Sequence, residues 1–195
     1  MVFQERTYSV LLVSASEKLN TTILPLLPAT DYWPVRVAKS VSEAQRKLLE
    51  SAYDIVLVNA PLPDDLGMRL AVEACGSSSA GVLLLVKSEL YNDVYAKVVS
   101  HGVLTLSKPT SVQMIAQSLR MLCATRERLR QMEEKQVSVE KKIEEIRYVN
   151  RAKWLLIERL SMTEADAHRY IEKKAMDQRI SKREAAADIL KTYGS

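Results

Sequence analysis

Glycine is scarce in this chain, at 5 of 195 residues. A phosphate-cradling loop between a strand and a helix needs glycines close together so that backbone can approach the phosphates. None follows the first apolar run, so a nucleotide site of that kind is excluded. Cysteine is rarer still: Cys75 and Cys123 stand at no metal-ligand spacing, read as packing residues with reduced thiols, and predict a cytoplasmic protein. The two histidines, His101 and His168, have no companion cluster of histidine, cysteine or carboxylate. No metal site, no cofactor and no Ser/His/Asp or Cys/His catalytic constellation is therefore expected, and the chain reads as a non-enzyme. No apolar run approaches the roughly 20 residues needed to cross a bilayer. The opening residues, MVFQERTYSV, lack the basic flank and long apolar core of a leader, so no membrane partner is expected.

What is present is ordinary soluble composition, 47% apolar and 27% charged, with the charge unevenly placed. Residues 1–110 hold 10 Lys/Arg against 11 Asp/Glu, whereas residues 111–195 hold 18 against 13. The net charge of +4 thus resides in the C-terminal half, which permits a nucleic-acid partner without requiring one.

In the first 110 residues short apolar runs alternate with helix-period segments. Strands are predicted near Tyr8 to Val13, Trp33 to Ala38, Asp54 to Asn59, Val82 to Lys87 and Val103 to Ser107, with helices starting near Ser16, Val41, Leu66 and Leu90. Such βα repetition implies an α/β fold, a flavodoxin-like, doubly wound five-stranded parallel sheet whose ligands bind at the carboxyl ends of the strands.

The strings YDIVLVNAPLPDDLG, GVLLLVKS and HGVLTLSKPTS resemble the third, fourth and fifth strands of a response-regulator receiver domain, over roughly residues 7–122. Lys108-Pro109 matches the Lys-Pro pair that receivers keep after the fifth strand, which implies a cis bond there. The resemblance also shows what is missing. Asn59 stands at the phosphoacceptor position, Ser14 and Ala15 where the family keeps magnesium-binding acids, and Val86 where it keeps a hydroxyl. A neutral amide is a poor phosphoacceptor and a site without carboxylates holds magnesium weakly. This part, residues 1–122, is therefore expected to be a pseudo-receiver. Asp64 and Asp65 read as a solvated loop whose turn at Pro63-Asp64 precedes a helix at Leu66. Lys108 is either a remnant of the phosphate site or a plain salt-bridge partner.

From Ile115 to Lys153 one uninterrupted helix is expected. Leu129, Gln136, Ile143 and Asn150 fall at heptad position a, with Met132, Val139, Ile146 and Lys153 at d. Arg128 and Lys135 at g would meet Glu133 and Glu140 at e of a neighbouring chain, which suits parallel strands. Residues 115–150 thus read as the coiled-coil linker of a parallel homodimer. Ser118, Thr125 and Gln136 interrupt the seam, and the alternative is a single amphipathic helix packed on its own domain. A buried Asn150 would fix register.

Arg147 to Leu160 continues that stretch as a helix; beyond it, Thr163 with Asp166 and Ser181 with Glu184 fit helix starts, predicting helices from Glu164 to Asp177 and Lys182 to Lys191. Ala152, Leu155 or Leu156, Leu160, Ala167, Ile171, Ala175, Ile180, Ala186 and Ile189 would form the core of a small three-helix unit, with Trp154 packed inward.

The string NRAKWLLIERLSMTEADAHRYIEKKAMDQRISKREAAADIL is similar to an ANTAR domain, the RNA-binding module of bacterial transcription antiterminators, over about 45 residues. The resemblance implies that residues 147–195 bind RNA hairpins in a nascent leader transcript as a dimer and keep a terminator from forming. Charge agrees: these residues hold 11 Lys/Arg against 7 Asp/Glu, and phosphate contacts dominate nucleic-acid affinity. Bases in RNA loops are read by stacking and hydrogen bonds. The residues expected to serve are Lys153, Arg159, His168, Arg169, Tyr170, Met176, Arg179, Lys182 and Arg183. Control is expected from a regulatory protein or ligand on the pseudo-receiver. A DNA-binding transcription factor and a non-enzymatic protein-interaction module are the alternatives.

Overall fold

The computed structural model describes residues 7–78 and 80–194. Residues 1–6, part of the stretch in which no leader is expected, lie outside the described residues. Five strands, β1 (Tyr8–Val13), β2 (Tyr32–Ala38), β3 (Ile55–Asn59), β4 (Gly81–Lys87) and β5 (Leu104–Lys108), form one parallel sheet in the order β2-β1-β3-β4-β5. That is the doubly wound, flavodoxin-like order that the βα alternation predicts. Between the strands run α1 (Glu17–Ile23), α2 (Val41–Glu50), α3 (Met68–Ser78) and α4 (Tyr91–Val98).

The inner strands β1, β3 and β4 are mostly apolar and buried because the sheet is covered on both faces. Side chains alternate with period two. Leu11, Val13, Val56, Val58, Val82 and Leu84 pack with Ala44, Leu70, Ala71, Val94 and Val98 of α2, α3 and α4. Val10, Leu12, Ile55, Leu57, Leu83 and Leu85 pack on the other face with Ile23 of α1 and with Ile115, Leu119 and Leu122. Each fully buried leucine contributes about 2 kcal/mol of transfer free energy, so the register of every strand is strongly specified. Gly67, at φ +77°, turns the chain into α3, where a Cβ would lie 2.8 Å from Val58.

The long helix α5 spans Val112–Leu160, starting three residues before the expected Ile115 and ending at the expected Leu160, and is followed by α6 (Glu164–Gln178) and α7 (Lys182–Tyr193). The chain forms two compact units, Met1–Arg130 and Gln131–Ser195, and α5 contributes residues to both. Along α5 the seam side chains Leu129, Met132, Val139, Ile143 and Ile146 are 37–59% exposed, and Gln136 and Asn150 are exposed as well. The first turns of α5 pack on the sheet through Ile115, Leu119 and Leu122, whereas these seam side chains do not. Among the described residues no helix is long and apolar enough to cross a membrane.

In the second unit Val149, Ala152 and Leu156 of α5 meet Ala167, Ile171 and Ala175 of α6 and Ala185, Ala186 and Ile189 of α7. Two expectations are corrected. Leu160, the last residue of α5, is 41% exposed rather than core, and Trp154 is 72% exposed rather than packed inward. Trp154 lies off the stripe that Val149, Ala152 and Leu156 present at i, i+3 and i+7, whereas Leu160 continues that stripe one turn beyond Leu156 but sits where α5 ends. Ile180 is only partly buried, and Leu156 rather than Leu155 is the fully buried member of its pair.

Candidate functional site

At the carboxyl ends of the strands the residues that replace the expected acids form a neutral network. Ser14, after β1, is fully buried, and its Oγ accepts from Asn59 Nδ2 at 3.2 Å and from the Ser16 backbone N–H at 3.2 Å. Lys108 Nζ donates to Asn59 Oδ1 at 2.6 Å and to the Ala60 carbonyl. The asparagine amide thus donates to one neighbour while accepting from another, which an ionised carboxylate cannot do. Val86 is buried at the end of β4, and the Lys108-Pro109 peptide is cis. Among the described residues Lys108 makes no salt bridge, which does not match the plain ion-pair reading of it. Burial, and then the nearby charge of Lys87, pull its pKa below the ordinary lysine value.

Asp64 is exposed, as expected of a solvated loop, but its carboxylate is employed. It accepts from the backbone N–H groups of Val41 and Ser42 at 2.9 and 3.0 Å and from the Ser42 hydroxyl at 3.1 Å. These bonds at the N-terminus of α2 hold its pKa below the usual carboxylate range. Asp65 Oδ1 accepts from the Gly67 N–H at 2.6 Å. The following helix begins at Met68, two residues beyond the expected Leu66.

The second unit carries the basic surface. Thr163 caps α6 by accepting from the Asp166 N–H, and Ser181 with Glu184 forms a reciprocal capping box on α7. The resulting packing brings Asn150, Lys153, His168 and Lys182 to one cleft of about 230 Å³, with Val149 in its lining. Three of the nine residues expected to meet RNA, Lys153, His168 and Lys182, thereby converge from α5, α6 and α7. Each also holds a carboxylate: Lys153 pairs with Glu164 at 3.0 Å, while Lys182 at 2.6 Å and His168 at 3.3 Å share Glu172. Lys182 holds the Glu172 carboxyl below its ordinary pKa.

The remaining candidates are distributed around this unit. Arg169 and Met176 lie on one stripe of α6 with Lys173, at i, i+7 and i+4, opposite the buried Ala167, Ile171 and Ala175. Met176 is 77% exposed, so it is not a core methionine. Neither of the neighbours His168 and Tyr170 faces the core; the Tyr170 hydroxyl is instead hydrogen-bonded to Tyr193, which raises its pKa. Arg183 reaches α5, where it meets Glu144 at 3.0 Å and lies 5.1 Å over the Tyr148 ring. Arg179 ends α6 in the left-handed region at φ 54°, its N–H directed to the carbonyls of Ala175 and Met176. Arg159 is exposed in the last turn of α5. Glu144, Tyr148 and Tyr193 escape sequence reasoning because their partners are distant in the chain. Only the His168–Glu172 pair, at i and i+4, leaves a local signal.

Residues 138–190 match the family model of the ANTAR domain. Over 143 residues the chain is 25% identical to the transcriptional regulatory protein PdtaR of Mycobacterium tuberculosis strains CDC 1551 / Oshkosh and H37Rv, covering 73% of this chain and 69% of PdtaR. The N-terminal fold is shared with the signal receiver domain of an HD domain-containing protein from Pseudomonas fluorescens Pf-5, at 24% identity and TM-score 0.58, over 67% of this chain and 96% of that one. It is shared as well with the chemotaxis response regulator CheY4 of Vibrio cholerae, at 18% identity and TM-score 0.52, over 60% and 99%. A structure named adenylate cyclase from Rhodopirellula baltica has the same fold at 21% identity and TM-score 0.59, over 66% and 96%. These likenesses establish the fold and carry no activity. The chain therefore joins a domain of receiver-like fold to a segment that matches the ANTAR domain.

Proposed function

We propose that this chain, with its receiver-like fold and ANTAR domain, is an antitermination regulator that binds hairpins of a leader transcript as a parallel homodimer. The observation that carries the reading is the coincidence of the ANTAR match with a cleft lined by Asn150, Lys153, His168 and Lys182. Its apolar side at Val149 suits the face of an unpaired base, and its polar rim suits base edges and phosphate. The carboxylates paired with Lys153 and Lys182 are exposed and screened by solvent, so phosphate can displace them. Arg169 and Arg179 have no ion-pair partner among the described residues and are open to phosphate directly. Similarity to a transcriptional regulatory protein, PdtaR, supports the regulatory role. The exposed seam of α5 from Leu129 to Ile146 supports a second copy. The neutral strand-end network supports control by a protein or ligand instead of phosphorylation.

Competition at fixed salt tests the partner. A labelled hairpin RNA with an unpaired loop should be displaced by unlabelled hairpin at concentrations about tenfold or more below those of duplex DNA, since each stacked loop base contributes about 1–3 kcal/mol. Equal displacement by duplex DNA would overturn the RNA reading in favour of a DNA-binding regulator.

A further inference from the structure

A cleft of about 390 Å³ opens at the carboxyl ends of the strands, between the start of α1, the end of β3 and the start of α5. Ser16, Lys18, Asn59, Lys108 and Thr110 line it, with Leu85 and Ile115 on its apolar side. Doubly wound sheets bind ligands at this end. Two of the lining residues are cations and none is a carboxylate. The acids in the neighbourhood are engaged elsewhere: Glu17 by Lys39 at 3.0 Å, Asp64 by the N-terminus of α2, and Asp65 by Gly67.

Lys108 therefore holds a partly buried charge without a counter-ion among the described residues. Its ammonium has three donors. Two go to Asn59 Oδ1 and the Ala60 carbonyl, both uncharged, and the third is unspent. Partly burying a cation without an anionic partner costs free energy that a bound anion would recover.

We infer that this cleft binds a small oxyanion, a carboxylate or phosphate group, non-covalently and without magnesium, with Lys108 and Lys18 as counter-charges and the hydroxyls of Ser16 and Thr110 as further donors. The volume exceeds that of a bare oxyanion and lies in the range of small-molecule sites, so an organic acid or phosphate ester of metabolite size fits. Asn59 is central to this reading: an aspartate there would neutralise Lys108, whereas the amide leaves its charge for a ligand. The inference stands on the first unit alone and is independent of RNA binding by the second.

The test is an amide NMR titration of the full chain with inorganic phosphate and, separately, acetate, at constant ionic strength with EDTA present. Saturable shifts confined to residues 14–22, 59–60 and 108–115 are expected, and the tighter probe identifies the headgroup. Asn59→Asp, nearly isosteric, places a carboxylate beside Lys108 and should weaken binding about tenfold or more. Lys18→Gln, at an exposed position, should weaken it about threefold while leaving the fold intact. Absence of saturation with both probes, or undiminished binding in both variants, would overturn the inference.

Discussion

Position 179 carries arginine where the backbone favours glycine. A helix that ends in the left-handed region usually places glycine there, because a Cβ in that conformation costs about 1 kcal/mol. Arg179 accepts that strain at φ 54° while its exposed guanidinium meets no carboxylate among the described residues. A side chain retained at such a site with nothing to hold in the free protein suits a role in binding. Arg179→Gly should therefore raise thermal stability, by about 1 kcal/mol in denaturant unfolding, while weakening hairpin binding; a stabilised variant with unchanged RNA affinity would remove Arg179 from the interface. The sequence named Arg179 as a candidate contact but could not show this conflict. The left-handed turn is legible only when the end of α6 is fixed by the capping box of α7 two residues later. Nor did it show that Lys182 and His168 share Glu172, since that arrangement depends on how α7 meets α6.

Elements were far more legible than contacts. All five strands, the capped starts of α6 and α7 and the continuity of α5 follow from local periodicity and capping residues, which need no knowledge of distant partners. Trp154 and Leu160 face outward for different reasons: only the direction of the buried Val149, Ala152 and Leu156 stripe decides it for Trp154, whereas Leu160 continues that stripe and is exposed where α5 ends. The same rule exposes Leu129, Met132, Val139, Ile143 and Ile146 along one helix. Isolated exposed apolar residues are ordinary, but a heptad-spaced row is the surface that a partner helix covers. Charged substitutions at Leu129, Ile143 and Ile146 together should yield monomers in sedimentation velocity and abolish any preference for a two-hairpin RNA over a single hairpin. In the dimer that preference arises from the effective concentration of the second site, typically millimolar for short linkers. A monomeric variant that retained the two-hairpin preference would show that the seam plays no part in RNA binding.

For the molecule as a whole, the proposed input site is one where the charges of a receiver give way to a neutral network. A receiver that accepts phosphate needs an acidic cluster to hold a hard divalent cation and an ionised aspartate to attack. Here Ser14, Ala15 and Asn59 occupy those places, and the buried hydrogen bonds among Ser14, Asn59 and Lys108 are satisfied without any metal. On the proposed reading, covalent input at this end has no acceptor, and the charge of Lys108 makes reversible occupancy the input. Incubation of the full chain with acetyl phosphate and magnesium should accordingly give no phosphoryl adduct by intact mass and no change in sedimentation or hairpin affinity. Asn59→Asp alone should not restore labelling, because a single carboxylate supplies too few charged oxygens to retain magnesium. A stable adduct on the unmodified chain, coupled to a change in RNA affinity, would return the first unit to the phosphorylated class. With occupancy as the input, any coupling between the units is a difference in ligand affinity between RNA-free and RNA-bound protein, and by linkage the ligand must change RNA affinity by the same factor.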